Sequence, residues 1–143
     1  MKPVLLYGSE TWRMPVATTM KVQTFINSCL RRILQIYWPI TINNKDLLQR
    51  TNQEPADAEI MMRCWRWIGH TLRKPSTNIT RQALPWNPQG KRRRGWPRNS
   101  WRGDLKAYIK RLGLTWSQLE RKAQDRDSWR TLVGGLCPRR VSK

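Results

Sequence analysis

Acidic residues are scarce in this chain of 143 residues. Only nine Asp or Glu stand against 28 Lys or Arg, which gives a formal net charge of +19 at pH 7. An active site built on paired carboxylates is hard to assemble from so few acids, so we predict no catalytic residue and no cofactor. The charge instead favours a polyanionic partner, DNA or RNA, over a small-molecule substrate.

Long apolar runs and paired cysteines are also missing. The longest apolar run near the start covers residues 4–7, far short of a signal-peptide core or of the ~20 residues that span a bilayer. We therefore expect no membrane association and an unexported, soluble chain. Three cysteines, Cys29, Cys64 and Cys137, are an odd number that indicates reduced intracellular thiols. With His70 they could hold zinc, but no Cys-x-x-Cys or close Cys-His pair is present, so no metal site is predicted.

Aliphatic residues are few, and tryptophan compensates for them. Leu, Ile, Val and Phe supply only 29 residues, a share that with this charge lies at the edge of disorder. Nine Trp can each bury roughly 150–250 Å². We predict that Trp65, Trp116 and Trp129 belong to the core, because they lie on or beside apolar helical faces. The pair Gly69-His70 predicts a tight contact or a helix end.

Charge and helix-breaking residues divide the chain into three segments. Residues 1–73 carry a net charge of +5, residues 74–103 carry +8 without any acid, and residues 104–143 carry +6. The middle segment also holds four of the nine prolines, which excludes a continuous helix. The predicted fold is mainly α: two small helical bundle-like lobes joined by a basic Pro/Gly-rich loop, with one short strand over residues 3–7.

Apolar residues at three- and four-residue spacing predict the helices. The longest is expected over 19–37, capped by Thr18 or Thr19 and ended by Pro39. Five more helices are expected. They cover 44–48 after an Asn43 or Asn44 cap, 55–73, 100–112 with Gly113 as the C-terminal cap, and 115–123 with a Thr115/Gln118 capping box. The last one is capped by Asp125 or Asp127 and ends before Gly134-Gly135.

Residues 91–98 carry the strongest chemical signal, five cations around a Gly-Trp-Pro turn. Cations in this arrangement favour phosphates, because each neutralised phosphate releases condensed counterions. Trp86 and Trp96 lie away from any apolar period and could stack on bases. A solvated loop, a nuclear localisation run and an anionic membrane surface are the alternatives. The predicted nucleic-acid contacts are Lys91, Arg92, Arg93, Arg94, Trp96, Arg98 and Arg102.

Tryptophan and arginine also alternate elsewhere, at 12–13, 65–67, 101–102 and 129–130. Aromatic faces can stack unpaired bases while arginine contacts phosphate. Most of these tryptophans are nevertheless expected to serve the core.

Five segments that follow one another along the chain show a resemblance to a known family. They are residues 4–12, the helix over 25–37, residues 66–73, the 90–95 turn leading to Trp101, and residues 123–130. Together they resemble the region downstream of the polymerase palm in non-LTR (LINE-type) retrotransposon reverse transcriptases. The similarity covers nearly the whole chain. It implies a last palm strand, a thumb-like helical region and a basic C-terminal extension, acting in the nucleus on DNA or RNA.

Catalysis by that family depends on metal-binding aspartates, including a Tyr or Phe-x-Asp-Asp box that holds two Mg²⁺ ions. This chain has no Asp-Asp pair. The resemblance therefore implies a nucleic-acid-binding fragment that is not catalytic alone and whose partner is a missing upstream polymerase domain. Two rivals stay open: a free-standing basic architectural or packaging protein, and a non-functional translated remnant.

Overall fold

The computed structural model describes residues 2–13, 15–86 and 101–136, and this part of the chain is helical without any strand. The mainly α prediction is confirmed. Residues 87–100 of the predicted basic loop lie outside the described residues. The helices are α1 (Lys2–Leu5), a short 3-10 helix (Ser9–Thr11), α2 (Val16–Ile33), α3 (Asn44–Arg50), α4 (Ala56–Leu72), α5 (Ile79–Ala83), α6 (Trp101–Arg111), α7 (Trp116–Gln124) and α8 (Arg126–Leu136).

The predicted strand over residues 3–7 is wrong, because these residues form α1 and the turn after it. The Tyr7 N–H donates to the Val4 carbonyl at 3.3 Å, and the Ser9 N–H donates to the Leu6 carbonyl at 3.2 Å. Local bonds thus satisfy backbone groups for which a strand would need a neighbouring strand. Leu6 is buried, and its carbonyl accepts from Arg63 of α4 at 3.1 Å.

Helix α2 begins and ends earlier than its apolar pattern predicts. It starts after Pro15, whose fixed φ suits a helix start. The Thr19 hydroxyl donates a hydrogen bond to the Pro15 carbonyl, so Thr19 lies inside the helix and does not cap it. Its regular bonding ends at Ile33, and Gln35 adopts a left-handed φ of 53° before Pro39 is reached. The backbone turn at Gln35, not the proline, therefore ends the helix.

Capping residues set several other boundaries as predicted. The Asn43 side chain accepts from the Asp46 N–H at 2.8 Å at the start of α3. Both bonds of the Thr115/Gln118 capping box are present at α7, and Gly113 follows α6 with a φ of +65°. Helix α5 is an addition inside the predicted loop, where the Asn78 side chain accepts from the Thr80 N–H.

Helix α4 lies at the centre of the described fold. Trp65, Ile68 and Leu72 of this helix are buried against α6, α7 and α8. The residues that pack on them are Leu84, Leu105, Ile109, Leu119, Ala123, Trp129 and Val133. Helix α4 belongs to the first predicted segment, yet it supplies the core of the last one.

Tryptophan supplies much of the packing, as predicted. Trp65 and Trp129 are buried, and Trp116 is half-buried against the same core. Trp67 and Trp101 meet edge to face with ring centroids 6.1 Å apart, a geometry that aromatic pairs prefer. The few aliphatic side chains are therefore enough to close a core around α4.

Candidate nucleic-acid interface

A glycine brings α8 directly against α4. A Cβ atom at Gly69 would lie 2.1 Å from Nε1 and 2.4 Å from Cε2 of Trp129, so only glycine leaves room for this indole. The Trp129 Nε1–H donates to the Trp65 carbonyl at 3.0 Å, and the two tryptophan rings are 6.0 Å apart. The tight contact predicted at Gly69 is confirmed, and it fixes the position of α8.

Beside this contact the two helices leave an open cleft of about 870 Å³. The α4 residues that line it recur at three- or four-residue spacing and so share one face, and the α8 residues do the same. We call it the arginine cleft, and its lining residues are Met62, Arg66, His70, Arg73, Arg126, Trp129, Arg130, Val133 and Gly134. Four guanidinium groups from two helices therefore line one cleft together with the apolar side chains of Met62, Trp129 and Val133.

Arg73 is held in place by the ends of α4 and α7. Its Nη1 donates to the Ala123 carbonyl at 2.9 Å, while the Gln124 Nε2 donates to the Leu72 carbonyl at 3.2 Å. These bonds satisfy carbonyl groups that helix ends leave without a partner. Arg73 therefore has a structural role as well as a place in the cleft.

The electrostatics of the cleft show that its cations crowd one another. Partial burial lowers the pKa of Arg73, and the positive charges of Arg126 and Arg130 lower it further. Arginine stays protonated at any physiological pH, so the repulsion persists in the folded protein. A bound anion would relieve it.

Few carboxylates offset this charge. Asp127 lies 3.3 Å from the Arg130 guanidinium, but both side chains are largely exposed, and such pairs are weak. Among the described residues, no carboxylate lies within 4.0 Å of Arg66 or Arg126. Asp125 is engaged elsewhere, because its carboxylate accepts from Asp127 and Ser128 at the start of α8. The arginine cleft therefore keeps most of its positive charge.

A second cationic surface lies on α6. Arg102, Lys106 and Lys110 recur every four residues and border a groove of about 430 Å³. We call these three residues the α6 stripe. The groove is completed by Leu84, Pro85, Leu105, Ile109, Leu114 and Trp116.

Of the predicted contact residues, Arg102 alone lies in the part of the chain that the structure describes. Its Nη1 donates to the carbonyl of Trp86 at 2.8 Å, and the Trp86 side chain is 67% exposed. Stacking by Trp86 stays a prediction. The predicted contacts that lie outside the described residues are Lys91, Arg92, Arg93, Arg94, Trp96 and Arg98.

The sequence reasoning missed the cleft arginines as site residues. The alternation of tryptophan and arginine at 65–67 and 129–130 is the available signal, but it predicts stacking and phosphate contact in general terms and does not place Arg66 and Arg130 in one site. In the structure Trp65 and Trp129 are buried while Arg66 and Arg130 are exposed. The tryptophans thus serve as anchors that place the neighbouring arginines on the surface.

Other kinds of site find little support in the described residues. Burial raises the pKa of the Cys64 thiol to about 11, so this thiol is protonated and a poor nucleophile at neutral pH. Across 2–13, 15–86 and 101–136, no three His, Cys, Asp or Glu side chains are grouped in a way that could hold a metal ion. No helix in these ranges has both the length and the apolar character needed to cross a membrane.

Charge and cleft geometry are therefore the main evidence for a function. The charge follows from the composition, and the cleft depends on how α4 and α8 are arranged rather than on a recognisable motif. No protein-family model, no curated protein and no solved structure matches this chain.

Proposed function

We propose that this chain binds DNA or RNA and that the arginine cleft holds phosphate groups of the bound strand. The observation that carries the proposal is the convergence of Arg66, Arg73, Arg126 and Arg130 on one cleft. Arginine forks pair with phosphate oxygens in a bidentate manner. Burial is the main cause of the lowered pKa of Arg73, and phosphate binding would offset the further lowering that comes from Arg126 and Arg130.

A polymer fits better than a single small anion, because the cations are spread over separate surfaces. The arginine cleft and the α6 stripe have no lining residue in common, and the whole chain carries +19. Each additional phosphate contact adds to affinity through counterion release. The basic segment 91–98 would add to the same footprint.

We further propose that the chain is a C-terminal part of a non-LTR retrotransposon reverse transcriptase, without catalysis of its own. The sequence resemblance is one support, and the surface of α2 is the other. Phe25 and Ile33 of this helix are more than half exposed, and so are Tyr37, Trp38 and Ile40 beyond it. An apolar surface of this kind marks an interaction site, which the missing polymerase domain would cover.

A free-standing architectural or packaging protein is the second candidate. The core around Trp65 favours it, because α4, α6, α7 and α8 bury their apolar faces against one another without any further domain. A chain that folds alone could use both cationic surfaces directly.

The test of nucleic-acid binding replaces three cleft arginines and leaves the structural Arg73 intact. Arg66→Gln, Arg126→Gln and Arg130→Gln together should weaken binding and reduce the slope of log affinity against log salt by roughly 2–3 units, at ~0.7–0.9 per phosphate contact. The matched control replaces Lys21, Arg32 and Arg50 with Gln, which removes the same charge from α2 and α3.

Fluorescence anisotropy across a salt series measures both variants. If the cleft is the binding site, the control keeps a slope close to that of the unmodified chain. Equal changes in the two variants would reduce the effect to net charge and remove the cleft from the proposal.

A further inference from the structure

Two consecutive glycines in α8 have no structural explanation within the described chain. Glycine inside a helix is unfavourable compared with alanine. The prediction that α8 ends before Gly134 and Gly135 is wrong, because both lie within the helix and neither has the positive φ of a helix cap. Among the described residues, nothing lies within 4 Å of the position that a Cβ atom would take at either glycine. Gly69, by contrast, is required by Trp129.

The two glycines differ in their position relative to the arginine cleft. Gly134 lines the cleft, whereas Gly135 is not among its lining residues. At Gly134 the backbone of α8 is therefore bare where it borders the cleft, beside Val133 and across from Met62. We call the uncharged part of the lining, Gly134 with Met62, Trp129 and Val133, the floor of the cleft, and the four guanidinium groups its walls.

We propose that the arginine cleft selects single-stranded nucleic acid by seating one unstacked base on the floor at Gly134 while the arginines hold the neighbouring phosphates. This inference rests on the proposed function. Phosphate groups alone would need only the guanidinium groups, because apolar side chains form no hydrogen bonds or ion pairs with phosphate oxygens. A base face is apolar and flat, and its close approach requires that no side chain project from the helix. Bases in a duplex are stacked on one another and cannot enter.

The experiment compares Gly134→Ala with the matched control Gly135→Ala. Both substitutions should raise the melting temperature, because alanine is the better helix former and the added methyl group meets nothing. Gly134→Ala alone should weaken binding of a fluorescent single-stranded oligonucleotide, by about tenfold if contact with one base face is lost. Affinity for the same sequence as a duplex should stay unchanged.

A probe change tests the same point without altering the protein. A single strand whose bases are replaced by abasic sites should bind the unmodified chain at least as weakly as the normal strand binds Gly134→Ala, because any stacking on Trp86 or Trp96 is lost as well. The abasic strand should bind Gly134→Ala and the unmodified chain with equal affinity. The slope of log affinity against log salt should stay the same in both cases, because no phosphate contact is removed.

The outcomes separate this inference from the proposed function. Equal single-strand affinity in the two alanine variants would overturn the base-seating proposal, even if the triple arginine variant still loses binding. An equal loss on single strand and duplex would overturn it as well, by placing the phosphate backbone at Gly134. If the triple arginine variant binds like its control, the proposed function itself fails.

Discussion

Gly69→Ala tests the contact on which both the fold and the cleft depend. The added Cβ atom would lie 2.1 Å from Nε1 and 2.4 Å from Cε2 of Trp129. Ordinary contacts between such atoms are near 3.5–4.0 Å, so the indole or α8 must shift by more than about 1 Å. Trp129 is only 3% exposed, so a shift of its ring disturbs the core residues that pack around it.

The expected magnitude follows from three contributions. Overpacking a filled core costs about 1–3 kcal/mol. Loss of the 3.0 Å bond from Trp129 to the Trp65 carbonyl would leave a buried indole N–H without a partner, which costs about 1–3 kcal/mol. The better helix propensity of alanine returns about 1 kcal/mol. We therefore expect Gly69→Ala to lower the free energy of unfolding by about 1–5 kcal/mol.

Urea denaturation followed by circular dichroism measures this change. Gly135→Ala is the control, because it makes the same substitution in a helix where the methyl group meets nothing, and it should raise the free energy of unfolding by about 0.5–1 kcal/mol. On a Trp129→Leu background, which lacks the indole atoms that clash, Gly69→Ala should cause little further loss. A Gly69→Ala variant as stable as the unmodified chain would refute the packing of α8 on α4 described above.

Three further predictions concern the basic segment, α2 and the start of α8. Replacing the five cations at 91–98 with Gln should reduce the slope of log affinity against log salt by roughly 3.5–4.5 units, and an unchanged slope would contradict direct phosphate contact. Trp96→Ala should keep the slope but lose roughly 1–3 kcal/mol of binding free energy on single strands. Phe25→Gln with Ile33→Gln should reduce binding of a hydrophobic dye and aggregation, with a stability change within about 0.5 kcal/mol; unaltered dye binding would count against an exposed α2 face. Hydrogen bonds from the Ser128 hydroxyl and the nearby backbone lower the pKa of Asp125 below 3.8. The charged carboxylate therefore stabilises the folded protein fully above about pH 4, and this stabilisation is lost as the pH falls towards the lowered pKa. Asp125→Asn, which keeps a capping oxygen, should therefore show a smaller loss of stability between pH 5 and pH 3 in denaturation curves, and an identical loss would contradict the assignment.

Local chemistry explains which parts of the fold could be predicted. The caps at Asn43, Thr115 and Gly113 depend on residues within one turn of the chain, and all three are present. The conformation of residues 3–7 depends on neighbours that the sequence does not specify, whereas the start of α2 after Pro15 is a local signal that the apolar pattern alone does not show. An apolar run such as residues 4–7 is compatible with a strand as well as with a turn. The burial of Leu6 and the bond from Arg63 of α4 to its carbonyl favour the helical turn that the structure shows.

The candidate site was harder to predict because its parts are far apart in the chain. A run of cations such as 91–98 is visible in the sequence, whereas Arg66 and Arg130 come together only when α8 packs on α4. The contact that brings them together is the same Gly69–Trp129 contact that stabilises the core. A substitution that separates the two helices should therefore weaken nucleic-acid binding as well as stability. Gly69→Ala should do both, whereas the arginine substitutions should change binding alone, because exposed side chains contribute little to folding.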